Sequence, residues 1–260
     1  MTAAALAAAP EPVRLRRTFD PTLLNEVVNH PDVRPFMAPG DDPIDLAPLV
    51  SNPANFALVT EGGGFLLHCH EPGIYEVHSQ FLPEHRFRTR DAMRAGFDYM
   101  FTRTDCERVV TQVPDNNGPA ASLAKAAGFR PMFRREKGLL GSTEYMGLSV
   151  EDWAQANADL EADGDWFHEQ CEAAVKAVRP DIPDHPHDPA HDRAVGAAVR
   201  MIRAGNTVKG VAFYNRWARL AGYTPIRLLS LNPPTLDMSE DGLAFIVQVS
   251  NGTMEILQCQ

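Results

Sequence analysis

Between Val109 and Pro131 the chain reads VVTQVPDNNGPAASLAKAAGFRP, and this stretch limits the possible folds more than any other. Val109, Val110 and Val113 suit a short buried strand over Arg108–Val113. From Asn117 to Ala127 there is no β-branched residue, and alanine dominates. Such a run enters a helix at little entropic cost. Gly128 can take the left-handed conformation that closes a helix. A buried strand delivered into an amphipathic helix points to α/β architecture rather than an all-β meander.

The preceding segments extend this reading. Val13–Phe19 suits a first strand. Asp20-Pro21 is a helix start, with Asp as cap and Pro in the first helical position, and Leu23, Leu24, Val27 and Val28 give that helix an apolar stripe. Residues 30–53, rich in Pro and Asp, read as an irregular loop. Strands are expected at Phe56–Thr60, Gly64–Cys69 and Ile74–Leu82, separated by the glycines at 62–64 and by Pro72-Gly73. Met93, Phe97, Met100 and Phe101 lie at helical spacing within about Thr89–Thr102. Strands near Phe129–Arg134 and Tyr145–Val150 complete the block. The order β-α-β-β-β-α-β-α-β combines hairpins with crossovers, so the sheet is expected to be mixed.

The organisation read from these signals is an extended arm (1–12), an α/β domain (13–150), an acidic helix with a Pro/His/Asp-rich linker (151–192) and a smaller α+β module (193–260). In the last part, helices near 190–204 and 207–221 meet at Gly205-Asn206-Thr207. A strand at Ile226–Leu231 runs into a turn at Asn232-Pro233-Pro234. A hairpin over Leu243–Leu257 turns at Asn251-Gly252, a favoured pair for that purpose. There is no internal repeat.

Composition narrows the functional classes. The 260 residues carry 34 acidic and 24 basic side chains, a formal net charge of -10. The electrostatic term that drives phosphate-backbone binding would be repulsive on average. Arg86, Arg88, Arg90 and Arg94 supply one candidate for a local basic patch, and no direct nucleic-acid partner is expected. Cys69, Cys106, Cys171 and Cys259 have no paired-motif spacing, so a reducing compartment is the default. The Ala-rich N-terminus has its basic residues after the apolar run, the reverse of a secretory signal. No stretch is long and apolar enough for a membrane span. A soluble, cytosol-made protein is expected, with no membrane partner.

The 109–131 segment resembles the strand–helix–Gly-Phe segment of the GNAT (GCN5-related N-acetyltransferase) superfamily, with Asn117, Ala120, Leu123, Gly128 and Phe129 at the matching positions. The resemblance implies a mixed central sheet flanked by helices, acetyl-CoA as cofactor and transfer of its acyl group to an amine. It places the acyl-CoA strand, the phosphate turn and the following helix over residues 74–101. It thus assigns Leu82, Arg86, Arg88, Thr89, Arg90 and Asn117 to the cofactor if CoA is bound. In that family a glycine-rich turn, R-x-x-G-x-G/A, aims backbone amides at the pyrophosphate. Here the turn reads Arg86-Phe87-Arg88-Thr89-Arg90-Asp91, with arginines but no glycine. The tyrosine that often follows the matching Leu and protonates the leaving thiolate is Ala124 here, and Tyr145 is a distant substitute. Loss of one general acid costs on the order of 100- to 10,000-fold.

Glu76, His78 and Gln80 alternate along one strand and are expected to share a face, with Tyr75, Val77, Ser79 and Phe81 on the other. Glu76 and His78 are the candidate catalytic bases, against the plainer reading of a solvated sheet face. His68, Cys69 and His70 raise a metal possibility, but a tight Pro72-Gly73 turn would set Glu76 and His78 opposite Cys69 and Leu67. His185, His187 and His191 fall in the acidic linker, where Asp188-Pro189 reads as a helix start and loop solvation is a simpler expectation than metal ligation. No metal ligand is assigned. Phe213, Trp217 and Leu220 form a helical stripe suited to packing.

Two functions follow. One is acetyl transfer to an amine. The other is a scaffold that has kept the fold and lost the chemistry. The eroded block ending in EDW, followed by WFHEQ, YNRWARLAGY and SLNPP, looks like proteins encoded among the structural and accessory genes of tailed bacteriophages. That resemblance implies a virion component, synthesised in the cytoplasm of a bacterial host, with other protein chains as partners in a multi-subunit particle.

Overall fold

The structure, a computed structural model, describes residues 13–38, 40, 42–138, 141–181, 187–239, 245–250 and 253–259. The expected arm over 1–12, His185 and the Asn251-Gly252 turn lie outside the described residues. The chain divides into two compact units. The first comprises the chain up to Glu71, Tyr75–Phe97 and Val110–Gly147; the second takes Pro72–Ile74, Asp98–Val109 and everything from Leu148 onward.

A seven-stranded sheet has the order β1-β2-β3-β4-β5-β7-β6, with β1 Arg16–Thr18, β2 Phe56–Thr60, β3 Gly63–Glu71, β4 Ile74–Phe81, β5 Arg108–Pro114, β6 Arg130–Gly138 and β7 Gly141–Ser149. The pairs β1–β2, β2–β3 and β6–β7 are antiparallel, and the sheet as a whole is mixed, flanked by helices. Helix α3 (Thr89–Arg103) links β4 to β5, and α4 (Gly118–Ala126) links β5 to β6. Of the expected stripe on α3, Met93, Phe97, Met100 and Phe101 are all buried, and the Phe97 ring meets Phe129 at 5.5 Å. Gly128 has φ +92°, and the Phe129 amide reaches back to the Ala124 carbonyl, so the glycine closes α4 in the left-handed manner.

Two expectations in the first unit need correction. Helix α1 (Thr22–Val28) begins one residue later than expected, with Pro21 before it. Asp20 still serves its start, because Oδ1 accepts from the Thr22 amide at 3.0 Å and the Thr22 hydroxyl at 2.6 Å. Those two bonds hold the carboxyl below its ordinary value. The 30–53 segment also carries structure: a 3-10 turn at Arg34–Phe36 and helix α2 at Ala47–Val50. Side-chain to backbone bonds build it. Asn29 exchanges bonds with the Ile44 amide and carbonyl, Asn25 accepts from Leu46, and Arg34 donates to Ala38 and Asp42. Such bonds follow no hydrophobic period, so periodicity is blind to them.

In the second unit, α5 (Val150–Ala156), α6 (Asp159–Val178), α7 (Pro189–Arg203) and α8 (Thr207–Ala221) accompany a four-stranded antiparallel sheet ordered β11-β10-β9-β8. Its strands are β8 Arg227–Leu231, β9 Pro234–Asp237, β10 Phe245–Ser250 and β11 Thr253–Cys259. The Asn232-Pro233-Pro234 turn is thus tighter than expected, with Pro234 already in β9. Helix α6 packs along α7, and α7 along α8. The α6–α7 crossing is close enough that a Cβ on Gly164 would lie 2.1 Å from the Asp192 carbonyl oxygen, and one on Gly196 2.0 Å from that of Leu160.

Helix α7 starts at Pro189, capped as expected by Asp188, whose Oδ1 accepts from the Ala190 amide at 2.9 Å. His191 and Asp192 are buried in its first turn rather than solvated in a loop. The Phe213–Trp217–Leu220 stripe also shifts. Phe213 is buried while Leu220 is 85% exposed, and Trp217 turns toward the rings of His191 and Tyr223.

The four cysteines are free. Cys106 is fully buried, and burial pushes its thiol up to about 12. A disulfide reagent added to the native protein at neutral pH is therefore expected to leave Cys106 unmodified until the chain unfolds, because only a thiolate attacks. Rapid native labelling of Cys106, read by peptide mapping, would contradict this environment.

Candidate functional site

Strands β4 and β5 are neighbours in the sheet, and with α3 and α4 they frame a cleft of about 1010 Å³ wholly within the first unit. Glu76 and His78 come from β4, Thr89, Arg90 and Asp91 from the start of α3, and Asn117, Ala120 and Ala124 from α4. Val33, Phe36 and Met37 add a wall from the 30–37 region, which sequence reasoning missed because nothing periodic marks it.

Glu76 is 5% exposed. Its Oε2 lies 2.7 Å from His70 Nε2, and its Oε1 lies 3.7 Å from His78 Nε2. A buried carboxylate is thus held between two imidazoles that keep part of their surface open. His78 is held below its ordinary value, chiefly by desolvation; Glu76 pulls upward, and His68 and His70 push down again. The ring keeps 41% of its side-chain surface, which moderates the desolvation. The direction favours a neutral imidazole, which can accept a proton from an amine.

A tight two-residue turn would set Glu76 opposite Cys69, a register the sequence leaves open; in the structure the Glu76 side chain meets His70. Tyr75, Glu76 and Val77 are buried in succession, as in a central strand covered on both faces. The expected shared face dissolves. Val77, Ser79 and Phe81 line the cleft together with Glu76 and His78, while Gln80 does not. Gln80 is 1% exposed, and its Oε1 has no hydrogen-bond partner among the described residues.

The anion turn has a definite form. Residues Pro83–Arg88 make a 3-10 turn running directly into α3, and the Thr89 amide donates back to the Arg86 carbonyl. The His85 amide likewise donates to Leu82. These amides are consumed internally, whereas an anion cradle needs amides left pointing at the ligand. Arg86 sends Nη2 to the Asp32 carbonyl at 3.0 Å. Phe87, in the first position after Arg86, is 79% exposed. Asp91 adds a carboxylate to the lining.

Of the residues assigned to the cofactor, Arg86, Thr89, Arg90 and Asn117 line the cleft, and Leu82 and Arg88 do not. Leu82 pairs its amide with Gly62. Asn117 caps α4, its Oδ1 accepting from Ala120 at 3.2 Å. Ala124 lines the cleft, and Tyr145 is not among the lining residues but stacks on Phe133 at 4.4 Å.

No protein-family model matches the sequence, and no curated protein matches it. Among solved structures, spermidine N-acetyltransferase from Vibrio cholerae in complex with CoA and spermine is similar at 16% identity and a TM-score of 0.47, covering 55% of this chain and 98% of that one. A GNAT-family acetyltransferase from Bacillus anthracis is similar at 19% identity and a TM-score of 0.45, covering 54% and 95%. The likeness is one of fold. The chain's own strand order, with crossovers through α3 and α4, is the α/β arrangement expected from the 109–131 segment. Among the described residues no helix is long and apolar enough to cross a membrane.

Proposed function

We propose that this chain is a GNAT-fold protein retired from acetyl-CoA catalysis, its cleft now a contact surface for another protein chain in a multi-subunit assembly. The observation that carries the reading is the state of residues 83–91, where the 3-10 turn uses its own amides, Arg86 is tied to Asp32, and Asp91 brings negative charge. The side chains at the rim support the partner. Phe87 and Phe36 are 79% and 52% exposed and both line the cleft, and exposed aromatics grouped at a concave surface favour protein contact. The sequence resemblance to tailed-bacteriophage proteins supports a virion particle as that assembly.

A second reading is favoured by one feature. Glu76 and His78 on the cleft wall are a usable base for deprotonating an amine, so the alternative is an active acetyl-CoA-dependent N-acyltransferase. Titration calorimetry separates the two. Acetyl-CoA is expected to give no binding heat at concentrations up to about 1 mM, and no amine, polyamines included, is expected to be acetylated. Micromolar binding with turnover that Glu76→Gln abolishes would overturn the proposal. Recovery of the protein at a fixed copy number in purified particles is the expected counterpart.

A further inference from the structure

We propose a divalent transition-metal site, of the zinc class, formed by Asp165 of α6, His187 just before α7 and Asp192 in the first turn of α7. His187 Nδ1 lies 2.9 Å from Asp192 Oδ2 and 3.8 Å from Asp165 Oδ1. One ligand atom from each of the three residues falls within 4.8 Å of the others. Ligands about 2.0–2.1 Å from a tetrahedral zinc ion stand roughly 3.3 Å apart, and the two His187 separations bracket that value.

The independent pointer is Asp192. Its side chain is 2% exposed, and Oδ2 receives no hydrogen bond among the described residues. The approach of His187 Nδ1 is therefore close in distance but outside hydrogen-bond geometry. A buried carboxylate oxygen without a hydrogen bond is unfavourable unless a positive charge compensates it. A cation shared with His187 and Asp165 would do so.

The other oxygen is already held. His168 Nδ1 lies 2.8 Å from Asp192 Oδ1, the outer contact that orients a ligating carboxylate. His191 forms a separate cluster with His168 and Asp192, and it is engaged elsewhere: its Nε2 meets the Tyr214 hydroxyl at 3.1 Å, and its ring stacks on Tyr223 at 4.1 Å. One imidazole and two carboxylates make a borderline donor set suited to Zn²⁺ or a neighbouring ion rather than to Ca²⁺. The fourth position stays open to water. Bound there, the ion would tie α6 to the start of α7. The site lies wholly in the second unit and stands whether or not the cleft accepts a cofactor.

The test uses the full chain, stripped with a chelator and titrated with Zn²⁺ alone, with Co²⁺ absorption as a second probe. One ion per chain is expected, with a rise in Tm on loading. Asp165→Asn and His187→Ala are each expected to weaken binding at least ten-fold and to remove the Tm rise. Both side chains are largely exposed, so the variants should fold, whereas an Asp192 variant is open to misfolding and is not relied upon. The absence of one-to-one binding, or binding and a Tm rise that persist in the Asp165→Asn/His187→Ala double variant, overturns the site.

Discussion

Replacing Thr89 and Asp91 by glycine is expected to raise CoA affinity at least ten-fold over the wild-type chain. The double substitution restores the R-x-x-G-x-G spacing after Arg86. It acts on both obstacles in the turn. Glycine at 89 withdraws the side chain from the 3-10 to α junction, whose Thr89 amide now serves Arg86. Glycine frees backbone amides to approach an anion closely. Loss of Asp91 removes a carboxylate from the lining of the cleft. Like charges about 4 Å apart repel by roughly 1 kcal/mol in water and about 4 kcal/mol at an effective dielectric near 20, and about 1.4 kcal/mol is already ten-fold. Asp91→Asn alone reports the charge component. Calorimetry with CoA, on variants whose circular dichroism matches wild type, reads the result. An unchanged affinity in the folded double variant would mean that the turn is not what denies the cofactor its place.

Gly196→Ala is expected to destabilise the protein by about 3 kcal/mol, as overpacking between rigid elements does. In an open helix the same change would be favourable by nearly 1 kcal/mol, since alanine is the better helix former. Here the new Cβ would sit 2.0 Å from the Leu160 carbonyl oxygen and 3.1 Å from the Gly164 nitrogen, both backbone atoms that no rotamer change can move aside. The clash therefore outweighs propensity. Gly118→Ala is the control, because a Cβ there would meet nothing within 4 Å, and it is expected to be near neutral. Urea unfolding distinguishes them; an increase in the Gly196→Ala midpoint would refute the close α6–α7 crossing. The same crossing brings Asp165 and Asp192 to the proposed metal position, so the glycines and the ligands depend on one contact.

Much of this was written in local sequence. The apolar stripe of α3, the capped α4 with its left-handed Gly128, and the strands at 56–60, 74–81 and 108–114 all depend on propensity, period and turn chemistry, which act within a few residues. The missing glycines after Arg86 and the alanine at 124 were equally legible, since an absent side chain or an added one is a fact of composition.

Tertiary structure decided the rest. That the Glu76 side chain meets His70 depends on how β3 and β4 pair, and strand register leaves no local trace. The wall that Phe36 lends the cleft comes from a segment ordered by Asn25, Asn29 and Arg34 bonding to distant backbone. His187 and Asp192 read as linker residues until α6 crossed α7. Asp165 lies more than twenty residues earlier, and only the close packing at Gly164 and Gly196 sets its carboxylate beside theirs. Local bonding determines which elements form; the distances between side chains of different elements exist only once those elements have packed.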